Sequence, residues 1–164
     1  MRFHVEHHFG GPVDALTALL LDPAFHQQLQ LPDVGLPEVV EARSEGDDAV
    51  LRLRYEYTGQ LDPIARRLLG NRKLTWMQEL HLSRSSGTGT LTFHAEADPR
   101  RLHGKADCNL AATDSGAESV RRLEGQLTVA VPVIGGSAER RIIEGLKRRL
   151  DVEAQALDHR LRTG

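Results

Sequence analysis

The chain has 164 residues, 40% of them hydrophobic and 27% charged, with a formal net charge of −2. That length suits one domain with a sizeable core, and the mix excludes a disordered chain. A near-neutral balance and 4% aromatic residues supply neither the basic face nor the stacking platform that nucleic acid requires, so no nucleic-acid partner is expected.

The single Cys108 leaves no internal disulfide and no cysteine zinc cluster to build. The opening "MRFHVEHHF" alternates polar and apolar residues and lacks the apolar centre of a signal peptide. No apolar run approaches the roughly 18 residues of a membrane-spanning helix. The expected location is the cytoplasm, and 1–164 read as a single domain.

In chain order, Phe3, Val5, His7 and Phe9 alternate with Arg2, His4, Glu6 and His8, the pattern of a half-buried strand. "GGP" ends it, and "VDALTALLL" reads as a short helix after Pro12. Asp22-Pro23 stops that helix and starts another, with Asp22 as N-cap and Pro23 in the first helical position. Six strands follow. The first lies near "EVVEARSE" and turns at "GDD". Leu51, Leu53, Tyr55 and Tyr57 then share one face, and Leu74, Trp76, Gln78, Leu80 and Leu82 the next. After "SSGTG" come Leu91, Phe93, Ala95 and Ala97, then Ala106, Cys108 and Leu110, and finally Leu123, Leu127, Val129 and Val131. One wet and one dry face throughout predict a single antiparallel sheet around something apolar.

After "VPVIGGS" a helix runs nearly to the C-terminus. At 100° per residue, Ile142, Ile143, Leu146, Leu150, Ala154, Leu157 and Leu161 form a stripe about 120° wide, opposite Arg141, Glu144, Arg148, Asp151 and Gln155. Roughly 26 residues at about 1.5 Å each give about 39 Å, long enough to cover the sheet.

The order β-α-α-β-β-β-β-β-β-α with a long amphipathic last helix resembles the helix-grip fold of the START-like superfamily, also called SRPBCC or Bet v 1-like. "MRFHVEHHF", "LDPAF", "KLTW" and "VPVIGGSAERRIIEGL" look like an uncharacterised actinobacterial family within it, a domain of unknown function. The resemblance covers the whole chain. It implies an α+β fold, a seven-stranded curved antiparallel sheet wrapped around the C-terminal helix, with two short helices after the first strand. It also implies an apolar-ligand cavity between helix and sheet, and carries no universal catalytic motif. The glycine-rich loop of the plant pollen-allergen branch is absent: "SEGDDA" is an ordinary hairpin turn.

Candidate lining residues are His7, Tyr55, Tyr57, Trp76, Gln78, Phe93, Ala106, Cys108, Ile142, Leu146, Leu150 and Glu153. Ala95, Ala97, Ala106 and Cys108 are small enough to leave room on the dry face. His7 reads first as a satisfied core histidine, with cavity lining as the alternative. Glu139 suits a helix N-terminus. Glu153 falls inside the apolar stripe, where a carboxylate must find a partner or reach solvent; swinging out to water is the expected outcome. His4, His7 and His8 are too divided between faces for a metal site, and no catalytic or cofactor motif is present.

The connection "LDPIARRLLGNRKL" is long for a hairpin-rich sheet. Ile64, Leu68 and Leu69 would form the apolar side of a short helix ringed by Arg66, Arg67, Arg72 and Lys73. It reads as a gate, a packed cap or a peripheral membrane contact. Binding or carriage of a hydrophobic molecule (lipid, quinone or polyketide-like) is the leading expectation, without a cofactor. A cyclase/aromatase-type enzyme and a co-chaperone-like interaction module are the alternatives.

Overall fold

The computed structural model describes residues 1–61, 63–131 and 135–164, with the side chains of Ile64 and Leu68 outside the described set. The strands are β1 (Arg2–Phe9), β2 (Glu38–Glu45), β3 (Asp48–Glu56), β4 (Thr75–Ser83), β5 (Thr88–Ala95), β6 (Leu102–Ala112) and β7 (Ser119–Val129). The helices are α1 (Val13–Leu20), α2 (Pro23–Gln28), α3 (Pro63–Leu69) and α4 (Gly135–Thr163). The seven strands form one sheet in the order β1-β7-β6-β5-β4-β3-β2, and each neighbouring pair is antiparallel. β2 to β7 form a meander, and α1 and α2 carry the chain from β1 at one edge to β2 at the other. This is the α+β helix-grip arrangement.

Local chemistry explains the elements. Asp22 caps α2 by accepting a hydrogen bond from the Ala24 N–H at 3.0 Å, with Pro23 in the first turn. Strand parity sets the two faces. On β3, Leu51, Leu53 and Tyr55 are buried, whereas Arg52 faces Glu79 in register and donates to it at 2.8 Å. Arg54 pairs with Glu96 and Glu38 on the same outer face. Such cross-strand charge pairs keep that face wet.

α4 has 29 residues, about 44 Å at 1.5 Å per residue. It begins earlier than its apolar stripe suggests, because Gly135 and Gly136 already lie in its first turn. Glu139 Oε1 accepts the Val129 N–H at 3.0 Å, which ties that first turn to the end of β7. Ile143, Leu146, Leu150, Ala154 and Leu157 are buried in one cluster with Phe3, Val5, Phe9, Phe93 and Leu127. Removing 135–164 should therefore uncover the dry face and leave an aggregating chain. Size-exclusion chromatography and thermal melting check this; a soluble, cooperatively melting truncation would contradict it.

Four sequence assignments move at their ends. Leu74, Ala97 and Val131 each fall just outside a strand, and Tyr57 makes an isolated antiparallel bridge to Val34.

Candidate functional site

The space between α4 and the sheet is unequally filled. Towards β1 and β7 it is packed by Phe3, Phe9, Leu123, Leu127 and Leu157. Towards α3 it opens into a hollow of about 540 Å3, walled by Trp76, Gln78, Phe93, Ala95 and Leu102 from the sheet side. Ile142, Gly145, Leu146 and Arg149 of α4 form the other wall, and Tyr57, Leu61 and Ala65 also line the hollow. A second hollow of about 450 Å3 shares Ala65, Ala95, Leu102 and Ile142 with the first, so the two run together at this end. Leu69, Arg72, Lys73, Ala97, Arg101 and Val131 rim it.

The positions of these walls follow from the sequence. Phe93 sits opposite Gly104 in register, and a Cβ at Gly104 would lie 2.2 Å from the Phe93 ring. Glycine at that position lets the ring lie flat across the neighbouring strand. Trp76 stacks on Tyr55, ring centroids 5.6 Å apart at 21°, a geometry that fixes the indole face towards α4.

Six of the twelve expected lining residues meet here: Tyr57, Trp76, Gln78, Phe93, Ile142 and Leu146. Tyr55, Leu150 and Glu153 lie deeper, around a void of about 20 Å3 behind Trp76 and Gln78. Cys108 borders another deep void of about 30 Å3, and burial pushes its thiol up to about 11. Each void has room for little more than a water. Ala106 and His7 lie outside the hollow. Ala106 is small, but α1 packs across β6 and β7, and its Leu16 and Leu20 join Ala106 and Cys108 in one buried cluster. The room left by the small residues of β6 is thus filled by another element.

His7 belongs to a charge cluster. Arg121, on the dry parity of β7, is 3% exposed, and Glu153 is 5% exposed. Glu153 is therefore not turned out to water: its Oε1 accepts from Arg121 Nη1. Arg121 Nη2 also donates to His7 Nδ1 at 3.1 Å. A guanidinium can only donate, so Nδ1 is the accepting nitrogen and Nε2 carries the proton to Asp151 Oδ1 at 2.7 Å. His7 is a satisfied core histidine that locks β1 and β7 to α4. Sequence reading passed over Arg121, although its parity with Leu123 and Leu127 was the available signal.

Burial holds His7 below its ordinary 6.5, with Asp151 pulling the other way and the Arg121 charge adding to the depression. The folded state thus takes up this proton less readily than the unfolded chain. The stability from His7 is present above about pH 6.5 and is lost as pH falls below it. His7→Asn should flatten that acid-side decline in urea-melt stability; an unchanged slope would contradict the assignment.

In the 61–73 segment, Leu69 lines the second hollow, Arg66 and Arg67 are exposed, Arg72 donates to the Leu69 carbonyl, and Lys73 pairs with Glu56 at 3.1 Å. The expected apolar roles of Ile64 and Leu68 lie outside the described residues. Among the described residues no group of three or more metal-binding side chains occurs, and no helix is long and apolar enough to cross a membrane.

A family model described as "Protein of unknown function (DUF2505)" matches residues 4–161. The chain belongs to that family. No curated protein matches it. Among solved structures, this DUF2505 member is similar to Ara h 8.0201, at 12% identity and TM-score 0.67, over 100% of this chain and 99% of that one. It is also similar to the ZhuI aromatase/cyclase from Streptomyces sp. R1128, at 13% identity and TM-score 0.64, over 99% and 94% of the two chains. A START superfamily protein from Mycobacterium smegmatis matches at 12% identity and TM-score 0.58, over 99% and 97%. At such identities the likeness shows the fold, the helix-grip arrangement of sheet and terminal helix.

Proposed function

We propose that this DUF2505 protein binds and carries a hydrophobic small molecule, lipid, quinone or polyketide-like, in the hollow between the first half of α4 and the sheet. The observation that carries the reading is a space of about 540 Å3, lined in part by Trp76, Phe93, Leu102, Ile142 and Leu146, beside a close-packed core. That volume lies in the roughly 300–1,000 Å3 range usual for small-molecule sites. The fold shared with a START superfamily protein and an aromatase/cyclase supports a ligand between helix and sheet. In this reading α3 is the gate, since Ala65 and Leu69 border the space, and its exposed Arg66 and Arg67 face outward.

A cyclase or aromatase in the same hollow has less support. Proton transfer needs a positioned acid or base within hydrogen-bond reach of the substrate; of those that line the hollow, Asp33 is paired with Arg148 and His94 and Glu144 are exposed, whereas Gln78 and Arg149 suit holding a ligand. The cross-strand ion pairs on the outer sheet face give a co-chaperone role less support.

Native mass spectrometry of freshly purified protein tests the proposal. The expected result is a discrete added mass that denaturing solvent releases. Bare protein that also fails to take up added dodecanoate, dodecan-1-ol and a ubiquinone would overturn it.

A further inference from the structure

Among the described residues, Arg149 lines the hollow without a counter-charge. Arg148 pairs with Asp33, Arg101 with Asp98 at 3.1 Å, and Lys73 with Glu56. Arg149 differs: among the described residues its guanidinium has neither a hydrogen-bond acceptor nor an ion-pair partner. It lies over the Trp76 ring, 5.5 Å from guanidinium carbon to centroid, and borders both the hollow and the small void behind it. Burial is the main influence on it and disfavours its charged form, with Arg148 adding repulsion against the attraction of Tyr57 and Asp33. This cation–π contact holds the guanidinium over the ring without using its N–H donors.

The helix is built around this group. Gly145, one turn earlier, also lines the hollow, and a Cβ there would come within 3.2 Å of Arg149 Nη1. Glycine inside a helix costs about 1 kcal/mol relative to alanine, and here it leaves space where the guanidinium lies. A half-buried cation with five donors and no acceptor among the described residues fits an oxyanion that arrives with the ligand.

We infer that the ligand is an anionic amphiphile, with its apolar body against Phe93, Leu102, Ile142 and Leu146 and its carboxylate or phosphate oxygens on Arg149. This rests on the binding role proposed above and specifies the chemical class. Of the carboxylates that line the hollow, Asp33 is committed to Arg148 and Glu144 is exposed, and neither forms an ion pair with Arg149.

The test uses displacement of the neutral probe N-phenyl-1-naphthylamine from the full chain by dodecanoate, dodecyl phosphate and dodecan-1-ol. Dodecanoate or dodecyl phosphate should bind about 10- to 100-fold more tightly than dodecan-1-ol, the range of a charge-assisted hydrogen-bonded pair; the tighter of the two identifies the headgroup. Arg149→Gln should bring all three within about threefold of one another, with dodecan-1-ol the least affected, and Arg149→Lys should retain part of the preference. Equal wild-type affinity for acid and alcohol overturns the anionic class while the binding role stands. An acid preference that survives Arg149→Gln overturns the Arg149 assignment. Failure of every ligand to bind overturns both.

Discussion

Replacing Arg121 with Met should destabilise the protein by about 3–5 kcal/mol, because it strands the Glu153 carboxylate in the core without its partner. Both side chains are almost fully buried, and Arg121 also supports His7 and the Leu150 carbonyl. For a chain of this size the loss corresponds to a melting shift of roughly 6–20 °C. Glu153→Leu alone should cost a similar amount by stranding the guanidinium. The double variant Arg121→Met/Glu153→Leu should recover most of the loss, since apolar groups of similar size replace a buried pair at little cost. Urea unfolding of the four proteins measures this directly. Additive losses in the double variant, or an Arg121→Met protein as stable as the wild type, would contradict the coupling.

Filling the hollow should abolish binding and leave the fold intact. Ala95 borders both hollows, and Ile142 faces it across the space, so Ala95→Phe and Ile142→Trp place their added volume where no side chain now stands. Each should weaken N-phenyl-1-naphthylamine binding at least tenfold, more than 1.4 kcal/mol, with a stability change of about 1 kcal/mol or less. Ala106→Phe is the contrasting case. Ala106 is packed tightly against Gly125, where an added Cβ would already lie 2.7 Å from the Ala106 Cβ. There the larger ring overpacks a filled core and should cost about 1–3 kcal/mol or more. Equal behaviour of the Ala95 and Ala106 variants in both assays would contradict the division between open and filled regions.

That division explains what the sequence could and could not reveal. Strand parity located the dry face from β3 to β7, because each inward side chain is two residues from the next. The stripe on α4 likewise announced its buried side. Neither pattern carries information on which other element covers a given stretch. Small residues at Ala95 and Ala106 look identical in the sequence, yet one borders space and the other lies beneath the α1 region of the core. The same limit hid the charge cluster. Glu153 stood out as a carboxylate in an apolar stripe, but its partner is 32 residues away and on another element. Arg149 was hidden differently: it follows Leu146 by three positions, on the edge of the buried stripe, where a charge is ordinarily read as solvated.

The central claim is that an apolar molecule occupies the hollow, and Trp76 reports on it most directly. It is the only tryptophan, and it lines that wall beneath Arg149. Titrating dodecanoate into the folded protein while following Trp76 emission should give a saturable, one-to-one change that Ala95→Phe removes. Emission that stays flat or drifts without saturating, or a saturable change that persists unaltered in Ala95→Phe, would contradict the account.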